Sequence, residues 1–82
     1  MRSFDSLSEN EVLALAIGQE EEDARIYADI AEGLKADYPA SAEVFRQMQA
    51  EEDTHRRRLI ELYRTRFGEH IPLIRKKEIK GF

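Results

Sequence analysis

Apolar residues recur at steps of three and four along two long stretches of the chain, which is the spacing of one face of an α-helix. The first stretch has its stripe at Leu13, Ile17, Glu20, Ala24, Tyr27, Ala31 and Leu34, and the second at Phe45, Met48, Glu52, His55, Leu59 and Leu62. No proline interrupts either stretch. The pattern therefore predicts two long amphipathic helices and an all-α fold.

The first helix has a marked beginning and a marked end. Ser8 is followed three residues later by Glu11, which fits a capping box and predicts a helix that begins near residue 8. Pro39 disfavours a helical conformation at Tyr38 and suits the first turn of a new helix. We therefore predict that the first helix covers about residues 8–36.

The second helix is predicted at about 39–67, where Phe67-Gly68 fits a helix end with a glycine cap. Because a very short turn joins the two helices, they are expected to lie antiparallel, as a hairpin that fills a single domain over 1–82. Beyond Pro72, an amphipathic piece predicts a short C-terminal helical segment.

Composition narrows the class of protein. The chain has 37% charged residues and only four glycines and two prolines, which is typical of long amphipathic helices. It has no cysteine, so a disulfide and a thiolate metal site are excluded, and a reducing cytoplasm fits. The longest apolar run is too short to cross a bilayer, and no signal peptide is predicted. The chain shows no Gly-rich phosphate loop, and no nucleic-acid partner is expected.

The formal charge of −4 hides an asymmetry between the two halves of the chain. Residues 1–53 contain fourteen acidic and four basic side chains, net −10, and residues 54–82 contain three and nine, net +6. An acidic half attracts cations, and a basic tail suits an acidic partner or a membrane surface. The simpler alternative is two solvated faces that attract each other across a hairpin or a dimer.

Three charged residues stand in the apolar stripes: Glu20 in the first, and Glu52 and His55 in the second. Burial of these groups is costly unless something compensates it, and a metal ion is the strongest compensation. In carboxylate-bridged di-metal bundles, two helices each supply a Glu-x-x-His pair and the other two each supply a lone Glu. The alternative is a chance Glu-x-x-His, half-solvated at the edge of the stripe.

Helix geometry favours the metal site. Glu20 lies eighteen residues before Tyr38, and Glu52 and His55 lie fourteen and seventeen residues after it. At the rise of an α-helix these positions are about 27, 21 and 26 Å from the turn. The three side chains are therefore expected to meet at one level of the hairpin. The run Glu21-Glu22-Asp23 lies mostly off the stripe, and for Glu21 and Glu22 an exposed acidic face is expected.

One hairpin offers two carboxylates and one imidazole, too few to close two metal sites. It is also expected to leave a large apolar patch uncovered, at Leu13, Ile17, Leu34, Phe45, Met48, Leu59 and Leu62. A symmetric dimer would solve both problems by forming a four-helix bundle. We therefore predict a homodimer, or a higher homo-oligomer, that holds two ions per dimer. Oxygen ligands with imidazole suit Fe or Mn.

The runs Glu20-Glu21-Glu22-Asp23-Ala24-Arg25-Ile26-Tyr27 and Glu51-Glu52-Asp53-Thr54-His55 resemble the first half of a rubrerythrin-type ferritin-like domain. The resemblance covers nearly the whole chain. It implies iron binding by Glu20, Glu52 and His55, with oxidation of Fe(II) or reduction of peroxide at a di-iron centre. The implied roles are iron storage, detoxification or export.

Three further stretches are most similar to the amino-terminal domain of membrane-bound ferritins, which precedes a vacuolar-iron-transporter-type membrane domain. They are Leu13-Ala14-Leu15-Ala16-Ile17, Tyr38-Pro39 and Phe67-Gly68-Glu69-His70-Ile71-Pro72-Leu73-Ile74-Arg75. This likeness implies a downstream membrane iron-transporter domain as partner, and a cytoplasmic location or the cytoplasmic face of a membrane. The second helix pair of such domains is absent here, so the chain is either a natural half-domain or a piece of a longer protein. Encapsulated ferritins, which are two-helix chains that associate, are similar more loosely.

Two alternative functions remain open from sequence. One is a non-catalytic, metal-dependent dimerisation or iron-sensing domain, and the other is a metal-free helical dimer. The role of Tyr27, one heptad after Glu20, is also open: it either donates a hydrogen bond to a ligand carboxylate or packs in the core. His70, in a loop, is expected to be a surface residue.

Overall fold

The computed structural model describes residues 2–80, with the side chains of residues 3–79. Two long helices, α1 (Glu9–Leu34) and α2 (Pro39–Phe67), pack against each other as an antiparallel hairpin. The predicted all-helical hairpin is thus confirmed. Two-residue strands β1 (Arg2–Ser3) and β2 (Ile79–Lys80) and single 3-10 turns at Phe4–Ser6 and Lys76–Glu78 complete the described chain. Among residues 2–80, no helix is both long and apolar enough to span a membrane.

The helix ends follow local chemistry. The backbone N–H of Ser8 donates to the Glu11 carboxylate at 3.0 Å, and the capping box is present. The first helix ends at Leu34, where the carbonyl accepts from the Tyr38 N–H at 2.8 Å. It stops two residues short of the predicted boundary because the residue before a proline is kept out of the helical conformation, and Tyr38 has φ −135° and ψ 64°. At the other end of α2, Gly68 has φ 94° and its N–H donates to Arg64 at 3.1 Å.

Small side chains line the contact between the helices. Four alanines on the facing sides are at most 6% exposed, namely Ala14, Ala24, Ala31 and Ala42. Because the alanine side chain is small, the backbones of the two helices can approach each other closely along most of their length. Nearer the end of the hairpin opposite the turn, hereafter the open end, Tyr63 is 2% exposed and packs with Ala14 and Ile17.

The C-terminal segment differs from the sequence prediction. The short helical segment expected after Pro72 is reduced to the 3-10 turn at Lys76–Glu78, and residues 68–75 have no regular structure. The cause is a tertiary contact. Ile71 and Ile74 pack on the cluster at the open end, and an extended chain that runs back along α1 allows this contact. Their β-branched side chains also weaken the helical alternative.

Because the C-terminal segment runs back along α1, one part of the predicted apolar patch is covered and that part of the prediction is wrong. Ile17 was expected to be uncovered, but the segment packs beside it and it is 7% exposed. Leu13 and Leu59, also expected in the patch, are partly buried against the same cluster. The segment ends at β2, which pairs in parallel with β1 in the register Arg2↔Ile79. The Lys76 ammonium lies 3.5 Å from the Glu22 carboxylate and adds an ion pair to α1.

Candidate metal centre

Glu20, Glu52 and His55 meet at one level of the hairpin. The Nδ1 atom of His55 lies 3.6 Å from Oε2 of Glu20 and 3.9 Å from Oε1 of Glu52. One ligand atom from each of the three side chains lies within 4.8 Å of the other two. The structure therefore brings together the three residues that the sequence singled out, although metal binding by them stays a prediction.

The three side chains differ in how far they are buried. The side chains of Glu52 and Glu20 are 19% and 25% exposed, and that of His55 is 50% exposed. The Oε2 atom of Glu20 is inaccessible and has no hydrogen-bond partner among the described residues. A buried carboxylate oxygen without a partner costs free energy, and a cation removes that cost. Two carboxylates and one imidazole are also a donor set that Fe and Mn accept, so the residues fit a metal ion.

One side of the hairpin carries a less buried stripe on each helix, and the two stripes together are called the free face. On α1 it consists of Val12, Ala16, Gln19, Asp23, Ile26 and Ile30, and on α2 of Val44, Met48, Glu51, His55, Arg58 and Leu62. Met48, His55 and Leu62 were predicted in the buried stripe but lie on this face, where His55 and Leu62 are exposed. Four of its large apolar side chains are exposed: Ile26, Ile30, Val44 and Leu62. Because His55 belongs to this face, the candidate centre opens onto it.

Tyr27 lies against Phe45, with 6.2 Å between the ring centroids. Among the described hydrogen bonds, none joins Tyr27 to Glu20 or Glu52. The contact with Phe45 is the packing alternative considered from sequence. A hydrogen bond from Tyr27 to a ligand carboxylate stays a prediction for the metal-bound protein.

The other acids near Glu20 have their own partners. Glu21 lies 3.8 Å from Arg25, Glu22 pairs with Lys76, and Asp23 accepts a hydrogen bond from Gln19 at 3.0 Å. They are therefore not members of the cluster. His70 is exposed in its loop, as expected.

One neighbour of the cluster was missed from sequence. Arg56 follows His55, its Nε atom is buried with no hydrogen-bond partner among the described residues, and its terminal nitrogen lies 3.8 Å from Asp53. The sequence feature that could have identified Arg56 is its position one helical turn after Glu52, since residues four apart share a helix face.

The family model described as Rubrerythrin matches residues 11–82, which include all of α2, all but the first two residues of α1, and the three clustered side chains. Comparisons with curated proteins and with solved structures give no match. The matched region, the helical hairpin and the cluster of two carboxylates and an imidazole agree with one another. The chain therefore belongs to the rubrerythrin family of ferritin-like di-iron domains.

Proposed function

We propose that this chain is an Fe(II)-oxidising module that holds two iron ions per homodimer between Glu20, Glu52 and His55 of both copies. The observation that carries the proposal is the buried Oε2 of Glu20, which has no hydrogen-bond partner among the described residues and lies 3.6 Å from the imidazole of His55. An anionic oxygen beside a nitrogen donor, both next to a second carboxylate, favours a cation at this place.

The number of ligands supports a second copy in the proposed site. Three side chains per hairpin leave most of the coordination positions of two ions unfilled, and six side chains from two hairpins provide a carboxylate-rich set. Four carboxylates also balance the four charges of two divalent ions. The half-exposed imidazole of His55 lies on the free face, where the side chains of a second copy can complete the set.

Each ligand has a distinct role in the proposed reaction. The carboxylates of Glu20 and Glu52 would hold Fe(III) more tightly than Fe(II), because the higher charge gains more from anionic oxygen, and His55 would add a neutral donor. The chemistry that two bound Fe(II) ions would supply is one electron each to O2, which with two protons would give hydrogen peroxide. In the proposed dimer, apolar neighbours one turn away, such as Met48 and Leu59, would limit the water that reaches the centre.

Aerobic Fe(II) titration, followed by ferric absorbance in the near ultraviolet, tests this proposal. The wild-type protein should develop absorbance up to two equivalents per dimer, and Glu52→Ala should abolish this saturable phase. Glu61→Ala is the matched control, because Glu61 is an exposed carboxylate on the same helix outside the cluster. An unchanged trace after Glu52→Ala would contradict the assignment.

A second function is favoured by the position of the centre on an uncovered face. In this reading the same three residues bind Fe or Mn only to lock two hairpins together, as an iron-sensing or dimerisation domain without turnover. Metal-dependent dimerisation in analytical ultracentrifugation, with no oxidation of Fe(II) above the rate in buffer, would favour it over the oxidase.

The cellular role follows from the narrower resemblance to membrane-bound ferritins. We propose iron storage, detoxification or export at the cytoplasmic face of a membrane, next to an iron-transporter domain encoded downstream. The gene sequence that follows residue 82 tests this directly. Apolar spans there support the proposal, and a stop codon overturns it.

A further inference from the structure

We infer that the C-terminal segment, residues 68–80, carries a surface that binds the headgroup region of a bilayer containing anionic phospholipid. This surface, hereafter the lipid-contact surface, consists of Leu73, Arg75, Lys77 and the groove that the segment forms against α1. It does not include the clustered side chains of the candidate metal centre, so the inference goes beyond the proposed iron chemistry. It rests on the described chain alone and needs no downstream domain.

The groove between α1 and the segment has a volume of about 420 Å³. Its apolar lining extends from Leu15, which is 4% exposed, to Leu73, which is 75% exposed. Gly18 also lines it, and a Cβ added there would meet nothing within 4 Å. The groove is therefore open, and its apolar lining gains free energy when hydrocarbon replaces water in it.

Leu73 has the highest exposure among the exposed large apolar side chains of the described residues. Its neighbours Ile71 and Ile74 pack on the cluster at the open end, so the segment has an inner and an outer side. A single exposed leucine needs no explanation by itself. The position of Leu73, at the edge of an apolar groove and two residues before a run of cations, is the feature that indicates a function.

Basic side chains surround Leu73 on the outer side of the segment. Residues 70–80 contain four basic residues and one acidic residue, net +3. Arg75 and Lys77 are exposed, and neither has an ion pair among the residues whose side chains are described. Near an anionic bilayer, each such cation raises the binding constant about fivefold.

The segment is fixed to the hairpin, so this surface has a defined shape. Lys76 pairs with Glu22 of α1, Ile79 is 3% exposed, and β2 pairs with β1. A surface that is already ordered loses little conformational entropy on binding. Leu73 and the two cations therefore reach a bilayer together.

The groove lies on a different side of α1 from the free face. Leu15, Gly18, Glu22 and Arg25 line it at steps of three, four and three, so they form a stripe of their own. Of its lining residues on α1, only Gln19 also belongs to the free face. A second copy on the free face would leave most of the lipid-contact surface uncovered.

The size of the surface favours a bilayer over a protein partner. A stable protein interface takes roughly 20–30 residues from each side, whereas one protruding leucine and two unpaired cations are present here. A bilayer needs no matching shape, and cations beside an apolar side chain suit its boundary between headgroups and acyl chains. The expected binding is weak and reversible.

Co-sedimentation of the 82-residue chain with vesicles, in buffer with EDTA, is the first test. The chain should sediment with an equal mixture of phosphatidylcholine and phosphatidylglycerol and stay in solution with phosphatidylcholine alone. Added salt should weaken the binding, because ions screen the attraction. The double variant Arg75→Glu with Lys77→Glu should lower the partition coefficient at least about tenfold.

The matched control is the double variant Arg57→Glu with Arg58→Glu, which makes the same change in net charge at two exposed residues of α2. This variant should lose far less binding. Equal losses in the two double variants would show that only net charge matters, and would overturn the lipid-contact surface.

The second test uses the absence of tryptophan from the chain. The fluorescence of Leu73→Trp should shift to the blue with anionic vesicles, because an indole that enters the interfacial region leaves water. Tyr38→Trp is the control, since Tyr38 is 63% exposed at the turn, far from the segment. No shift for Leu73→Trp, or the same shift for Tyr38→Trp, overturns the inference.

Two further measurements separate the lipid from other anions. Displacement by inorganic phosphate beyond that by chloride of equal ionic strength would assign a free phosphate site and overturn the bilayer. Equal binding of polyglutamate, without a shift for Leu73→Trp on vesicles, would assign an acidic protein partner and also overturn it.

The outcomes also separate this inference from the proposed function. Vesicle binding by a protein that does not oxidise Fe(II) would support the lipid-contact surface and overturn the oxidase. Iron oxidation by a protein that ignores anionic vesicles would support the oxidase and overturn the lipid-contact surface.

Discussion

Nδ1 of His55 lies 3.6 Å from Oε2 of Glu20, although the two residues belong to different helices and are far apart in sequence. The contact exists because a tight turn at Tyr38-Pro39 folds α2 back along α1 and so brings the two positions to one level. One chain therefore brings together the three side chains of the candidate metal centre.

The first prediction concerns His55. His55→Ala should lower Mn(II) affinity at least about tenfold, because even indirect partners of metal ligands contribute that much. Isothermal titration calorimetry measures the affinity without oxidation of the metal. His70→Ala, a change in an exposed loop, should leave affinity unchanged, and equal binding by both variants would remove His55 from the ligand set.

A second prediction separates charge from shape at Glu20. Glu20→Gln keeps the size of the side chain and removes the negative charge whose Oε2 is buried without a partner. The metal-free protein should therefore melt at the same temperature as wild type or higher, since the cost of burying the charge is gone. The rise in Tm that Mn(II) gives to wild type should be lost, because the linkage to metal binding is lost. Retention of that rise would contradict the assignment.

The returning C-terminal segment gives a third prediction. Ile79 is 3% exposed and Leu73, on the same segment, is 75% exposed. Ile79→Ala should destabilise the protein by about 2 kcal/mol, at the low end for a buried isoleucine because the site lies near the edge of the fold. Leu73→Ala should change stability by less than about 0.5 kcal/mol. Urea denaturation followed by circular dichroism measures both, and equal effects would contradict the burial of Ile79.

The fourth prediction compares two glycines. Gly68 has φ 94° and ψ −166°, a combination that is essentially restricted to glycine. Gly68→Ala should therefore cost on the order of 1–3 kcal/mol. Gly33 lies in α1 with nothing within 4 Å of an added Cβ, so Gly33→Ala should stabilise by up to about 1 kcal/mol. Thermal denaturation distinguishes the signs, and a stabilising Gly68→Ala would contradict the backbone geometry.

The sequence predicts the helices well because their signals are local. The capping box at Ser8 and the stop at Gly68 depend on residues within one turn, and both are present. The meeting of Glu20 with Glu52 and His55 was also predictable, because it needs only helix rise and the position of the turn.

The path of residues 68–80 could not be predicted in the same way. Its apolar residues fit a short amphipathic helix as well as an extended chain, and the contacts of Ile71 and Ile74 with the cluster at the open end decide between them. Such contacts join residues far apart in sequence, and no local pattern encodes them. The burial of Ile17 was missed for the same reason.

The pairing of β1 with β2 has a kinetic consequence. Arg2 and Ile79 are nearly a full chain length apart, and two residues on each side form the ladder. So few contacts cannot offset the entropy of closing such a long loop unless the hairpin has already brought the two segments together. We therefore expect the strands to form last during folding and to separate first in the native state. Their amide hydrogens should exchange with solvent through brief local opening while both helices stay intact.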